Sequence, residues 1–498
     1  MSDSKNNNLI LPEVETLAVD AKDPKIPEEA PVILPPLHDN PAPGCSEEKP
    51  TFESPKEEVA DPNQQQIVES GQDASTLEEV PQKELSGASP AAVRKSLTNK
   101  EVTDRTAGLW RYLPIPLDEP EPAPEYLQSD LDLPGGKVIA ARVRGKKHKH
   151  EGSNCDDWYE VANVDDVTFI AVSDGAGSKK FSRIGARESC KASVGYLVNA
   201  YGKILTEMPT IRDALRQELS LPECMDACGR IAGLVQKSVI QAWEAVEAAF
   251  YSRATDPWYA RLLKRSLDLK DLSGTLLVAA IVPLNKDTKE HLIVTCQVGD
   301  GMIVSINSRG SFQTSVKLLG VPDSGDFSGE TEFLTAPQMK TLEALQKRTK
   351  LSRGVVDTVM LMSDGVADDY YPNETQMRRL YFDLLVNGVI PMEGKLDGLS
   401  KLSPKEISLF KKIPDPIHYP WVNDKSVTVP IQYTNRICEA LGITLEELWA
   451  DRSLLGLANL ELKEAAPSSD LGERLCVWLD NYYERGSFDD RTLVVMLL

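Results

Sequence analysis

Asp166–Ser178 reads DVTFIAVSDGAGS, an apolar run rich in β-branched and aromatic residues that stops at Ser-Asp-Gly. Such a run, bounded by Asp and Gly, reads as a buried strand closed by a turn. The ending recurs. HLIVTCQVGDG (His291–Gly301) and DTVMLMSDGVAD (Asp357–Asp368) also run from apolar residues into Asp-Gly, and SFDDRTLVVMLL (Ser487–Leu498) begins its apolar run just after Asp-Asp. A further acidic pair, Asp156-Asp157, stands just ahead of the first of these strands. Any single Asp-Gly is read first as a turn pair, because Gly supplies positive φ and Asp bonds its own backbone. The set points further. Carboxylates at several strand ends can converge on one rim, and hard divalent cations prefer carboxylate, carbonyl and water oxygens. Such a rim can hold one or two ions and use them for hydrolysis.

Composition narrows the classes. The 498 residues carry a net charge of −21, which argues against nucleic-acid binding through a basic surface. The longest apolar run, Thr275–Leu284, is too short to span a bilayer. The start, MSDSKNNN, has no basic stretch followed by an apolar one, so no secretion signal is expected. The eight cysteines form no paired CxxC motifs, and the chain reads as reduced and cytoplasmic, without a structural zinc site.

Residues 1–125 hold more than half of the chain's 33 prolines, an acidic excess and few apolar positions. They are expected to form a disordered tail, since they cannot bury enough surface to offset ordering entropy. From about residue 131 strand-like and helix-like blocks follow in a non-regular alternation. This favours an α+β fold with antiparallel sheets over a doubly wound parallel one. Between 373 and 483 lies a long, partly helical insert. It joins Asp364 to Asp489, so it is expected to form a cap beside the cleft.

The motifs, in their order, resemble those of the metal-dependent Ser/Thr protein phosphatases, the protein phosphatase 2C-like family, and look nearest to its bacterial branch. RGKKHKHEGSNCDDWYEVA (Arg144–Ala162) is similar to the family's opening pattern and aligns His148, Gly152, Cys155 and Asp157, with Asp156 at a Gln or Glu position. VSDGAGS resembles the central Asp-Gly-x-Gly and supplies Asp174 and Gly175. DLSGTLLVAAIV resembles the Asp-x-x-Gly-Thr-Thr strand, with Asp271 and Gly274, and CQVGDGMIV the Gly-Asp-Ser-Arg hairpin, with Asp300. LMSDGVAD aligns Asp364, and GSFDDRTLVV aligns Asp489 and Asp490. The resemblance covers about residues 131–372 and 484–498. The phosphate-contacting arginine that precedes the first Asp in the family has no counterpart here. His148, Lys149 and His150 stand nearby instead.

The resemblance implies two packed antiparallel β-sheets flanked by helices, an α-β-β-α sandwich, with a catalytic domain over 131–498. It implies hydrolysis of phosphoserine and phosphothreonine in proteins by a water activated by two Mn²⁺ or Mg²⁺ ions. Asp174 would bridge the ions, with Asp364 and Asp489 completing one site and the Gly175 carbonyl serving the other. Asp156 and Asp157 would act through waters, and Asp271 would hold a weaker third ion. His148 or His150 suits the protonation of the leaving alkoxide. Partners would be phosphoprotein substrates, with no nucleic acid and no membrane, for a monomer. The competing reading is a catalytically silent phosphatase-like module that binds a partner. Such a module would be free to lose Asp174, Asp364 or Asp489, and all three are present.

Overall fold

The structure, a computed structural model, describes residues 111–320, 332–391, 417–419, 427–429, 433–451, 470–481 and 488–498. The strands are β1 Tyr126–Leu133, β2 Gly136–Val143, β3 Trp158–Val164, β4 Val167–Ser173, β5 Leu276–Asn285, β6 Glu290–Val298 and β7 Met302–Ile306. They continue as β8 Val316–Leu318, β9 Thr349–Val355, β10 Thr358–Met362, β11 Ile417–Tyr419, β12 Val427–Val429 and β13 Arg491–Leu497. One sheet has the order β1-β2-β13-β10-β7-β8 and the other β3-β4-β5-β6-β9, while β11 and β12 pair separately. Pairings within the two main sheets are antiparallel.

The sandwich follows from strands that are apolar on both faces. Successive side chains of a strand point to opposite sides. In β4, Ile170 and Val172 point into the layer between the sheets, and Phe169 and Ala171 point outward toward helices. In β2, Val138 and Ala140 face inward and Ile139 and Ala141 outward. Three buried layers result: helix on sheet, sheet on sheet, and sheet on helix. Helices Ser182–Glu207 and Pro222–Ala254 cover the β3–β9 sheet. Helices Asn373–Val386 and Leu471–Asn481 cover the other. The fold class is therefore the expected α+β sandwich. No helix among the described residues is long and apolar enough to cross a membrane.

Two expectations change. Residues 1–110 of the expected tail lie outside the described residues. Residues 111–125, however, are packed on the domain. Glu121 accepts hydrogen bonds from Arg253, Arg187 and Tyr259, and Glu119 pairs with Arg183. Proline content reports on helix and strand formation, not on whether an extended segment can dock through its charges.

The described helices of the insert also differ from the expected cap. Trp449 donates to the Gly310 carbonyl at 3.1 Å, and Gln313 donates to Glu446 at 2.6 Å. Strand β7 leads away from Asp300, so residues 310–313 lie beyond its other end. The helices Thr434–Leu441 and Leu445–Ala450 thus pack on the outer face of the six-stranded sheet, away from the Asp300 end. The cap over the cleft is not formed by these residues.

Candidate metal centre

Strand registers bring the acidic residues together. Asp174 follows β4, Asp364 follows β10, Asp157 precedes β3 and Asp489-Asp490 precede β13. Trp158 pairs with Ser173, Met362 pairs with both Leu493 and Met302, and Arg491 pairs with Val143. All four junctions therefore open on one rim. Asp300 joins them from the β6–β7 turn, where flanking Gly299 and Gly301 adopt φ of 90° and 86°. Side chains rarely take that backbone region.

Asp174 is pinned to the start of β5. Its N–H donates to Thr275 Oγ1 at 2.9 Å, and its carbonyl accepts the Thr275 N–H at 2.8 Å. Gly175 forms an antiparallel bridge with Gly274. One carboxylate oxygen from each of Asp174, Asp300 and Asp364 lies within 4.8 Å of the others. Burial, then the charges of Asp364 and Asp157, push the Asp174 carboxyl well above the usual range. Burial, then Asp300, Asp157 and Asp489, push Asp364 up to about 8. The one-turn helix at Asp364 lies close to the last strand. A Cβ on Gly365 would sit 1.9 Å from the Asp490 carbonyl oxygen.

Behind this group lie Asp156 and Asp157, both buried. Asp157 Oδ2 accepts from Thr492 Oγ1 at 2.7 Å, while its buried Oδ1 takes no hydrogen bond from the described residues. Burial and Asp490 push Asp157 up to about 6 and Asp156 up to about 8.

The two carboxylates of the Asp489-Asp490 pair are used differently. Asp490 is buried and accepts from the backbone N–H groups of Gly145 and Asp156, each at 2.6 Å. His148 Nδ1 lies 2.8 Å from its Oδ2. Burial opposes ionisation of Asp490, but the His148 charge and these donors hold its carboxyl below the usual range. Asp489 is half-exposed on the rim, and its charge acts on both Asp174 and Asp364. Burial opposes a charge on His148 as well, yet Asp490, then Asp156 and Asp489, push the imidazole up to about 10.

Two of the expected site residues are engaged by other partners. His150 is exposed, and its Nδ1 accepts the Arg111 N–H at 3.1 Å. The short helix Lys146–Glu151 turns His148 inward and His150 outward, because residues two apart face different sides. Asp271 is engaged elsewhere. Its oxygens accept from Arg265 at 2.7 and 2.5 Å and from the Asp268 N–H at 2.9 Å, closing a reciprocal cap on the turn Leu269–Leu272. Arg265 is supplied by the chain just upstream. Asp300, which the sequence placed in a hairpin motif but not among the ligands, stands with Asp174 and Asp364 instead. Its signal was the same Asp-Gly ending that marks the other two.

The donor set suits a hard divalent cation. It consists of carboxylate oxygens, mutually repelling and partly desolvated, with one buried oxygen lacking a donor among the described residues.

The family model for protein phosphatase 2C matches residues 144–391, which contain most of this rim. No curated protein matches the sequence. Among solved structures, a bacterial serine phosphatase is 13% identical, covering 73% of this chain and 97% of its own, with a TM-score of 0.32. The serine/threonine phosphatase Stp1 from Staphylococcus aureus is 11% identical, covering 74% and 97%, with a TM-score of 0.33. A serine-threonine phosphatase 2C from Toxoplasma gondii is 12% identical, covering 75% and 99%, with a TM-score of 0.30. Likenesses this distant carry no argument about chemistry. With the ordered motifs, the sandwich and the family match in agreement, the chain belongs to the protein phosphatase 2C family.

Proposed function

We propose that the chain hydrolyses phosphoserine and phosphothreonine in proteins with the help of Mn²⁺ or Mg²⁺. The observation that carries this reading is the convergence of Asp174, Asp300, Asp364 and Asp489 from separate strand ends onto one rim. Family membership supports the substrate class. Like charges gathered in a partly buried place are costly unless a cation offsets them.

Asp174, Asp364 and Asp489 supply anionic oxygens, and the Gly175 carbonyl supplies a neutral one. Asp156 and Asp157 stand behind them and orient water. Asp300, rather than Asp271, is the residue for a weaker third position. When bound, two divalent cations neutralise phosphoryl oxygens and lower the pKa of a water that becomes the nucleophile. Thr275 and Thr492 hold Asp174 and Asp157 in place before any ion arrives, so little reorganisation accompanies the reaction.

The test is hydrolysis of a phosphothreonine peptide with Mn²⁺, with Mg²⁺ and with excess EDTA. Turnover that needs the metal and stops with the chelator is expected. Unchanged hydrolysis in EDTA sinks the metal mechanism. Tight Mn²⁺ binding without turnover on any phosphopeptide favours the silent module.

A further inference from the structure

Gln297 is a buried amide on an apolar face. Successive residues of a strand point to opposite sides. In β6, Val294, Cys296 and Val298 face the helices, and Ile293 faces the layer between the sheets. Thr295 and Gln297 therefore point into that layer too, and each is 1% exposed. The cross-strand neighbour of Gln297 there is Leu277. Thr295 donates its hydroxyl to the Leu319 carbonyl. Gln297 Nε2 donates to the carbonyl oxygens of Gly299 and Gly301, each at 3.2 Å. Its Oε1 has no hydrogen-bond partner among the described residues. A buried amide with one end unpaired costs stability, so packing alone favours an apolar side chain at this position.

The two carbonyls flank Asp300, so one amide closes the turn that presents this carboxylate. The turn is also wedged at both ends. A Cβ on Gly299 would meet Thr275 Cγ2 at 2.5 Å, and one on Gly301 would meet the Met362 carbonyl oxygen at 2.6 Å. Thr275 is the residue that pins Asp174, and Met362 ends the strand that leads to Asp364. The Asp300 turn thus lies against the supports of the other two carboxylates, with Gln297 holding it from the inter-sheet side. Gly320 leaves room for the amide, since a Cβ there would collide with Oε1. Like charges this close repel. A turn left free would relax Asp300 away from Asp174 and Asp364, whose carboxylate oxygens lie within 4.8 Å of its own.

Resting on the metal reading above, we propose that Gln297 is a positioning residue for cation binding. By holding the Gly299 and Gly301 carbonyls it fixes the Asp300 carboxylate beside Asp174 and Asp364. Its effect falls on the ion that Asp300 serves, the most weakly held one. Thr295, on the same face and equally buried, bonds away from the turn and has no such role.

The experiment is Mn²⁺ titration calorimetry of the full chain as wild type, Gln297→Met, Asp300→Asn and the double variant, with melting in chelator to check folding. Gln297→Met should lower affinity for the most weakly held Mn²⁺ about tenfold or more, as for other residues that support a ligand from behind. In the Asp300→Asn background the same substitution should change nothing, because Gln297 acts through Asp300. Thr295→Val should keep wild-type affinity. Unaltered affinity in Gln297→Met, an equal further loss in the Asp300→Asn background, or the same loss in Thr295→Val overturns the proposal alone. Should Gln297→Met fail to fold, Gly320→Ala replaces it, displacing the amide without removing it, and unaltered affinity there overturns the proposal equally. Failure of the wild-type chain to bind Mn²⁺ overturns it together with the metal reading.

Discussion

Arg142 donates a hydrogen bond to the carbonyl oxygen of Asp157 at 2.6 Å. Its other terminal nitrogen donates to the Pro124 carbonyl at 2.8 Å, and its guanidinium lies 4.7 Å from the centre of the Trp158 ring. A fully buried cation on β2 thus ties the segment before β1 to the loop that carries the acidic pair. Arg142→Met keeps the volume but leaves two carbonyls without their donor. A loss of about 2–4 kcal/mol in urea denaturation is expected, together with weaker Mn²⁺ binding by calorimetry. Unaltered stability and affinity would show that the loop holds its shape without this residue.

Asp174→Asn and Asp364→Asn should each lower phosphopeptide turnover at least about 100-fold, because Asn keeps the shape but not the charge that holds a dication. In chelator their thermal transitions should match or exceed that of the wild type, since one of several repelling carboxylates is gone. Scanning calorimetry with and without Mn²⁺ checks both parts. The upward shift with Mn²⁺ should be present in the wild type and lost in the variants.

Glu121 gives the docked segment a pH dependence. Arg253 foremost, then Tyr259 and Arg187, holds its carboxyl well below the usual range against the opposing effect of burial. The folded pKa is lower than the unfolded one. Its contribution is therefore present above the unfolded value, about 4.3, and is lost as the pH falls toward the folded value. The wild type should lose more stability than Glu121→Gln between about pH 5 and pH 3. Parallel acid losses in denaturant titrations of the two proteins would contradict this role.

Gly365→Ala should weaken Mn²⁺ binding, since the new Cβ would meet the Asp490 carbonyl oxygen at 1.9 Å and displace the turn that presents Asp364. Gly177→Ala is the control. That glycine is exposed, a Cβ there meets nothing within 4 Å, and affinity should be unchanged. Equal affinities for the two variants would mean that the turn yields at no cost to the site.

The sequence by itself was enough for the order of the motifs, the antiparallel sandwich, and the strand-end positions of Asp174, Asp364 and Asp489. These are local signals. An apolar run that ends in Asp-Gly reports a strand and its turn, and several such runs imply a common rim. What tertiary structure decided is which of the nearby polar groups are already engaged. Asp271 and Asp300 both fall in motifs beside strands, yet Arg265 and the Asp268 N–H occupy the first, while strand pairing turns the second toward Asp174 and Asp364. His148 and His150 are two residues apart, and the helix sends them to different sides. Asp489 and Asp490 are adjacent, and only the fold gives the second to Gly145, Asp156 and His148. The docking of residues 111–125 depends on arginines far along the chain. A carboxylate's role follows from the donor nearest to it in space. That donor is fixed by strand registers between segments hundreds of residues apart, which local patterns of apolar and polar residues do not specify.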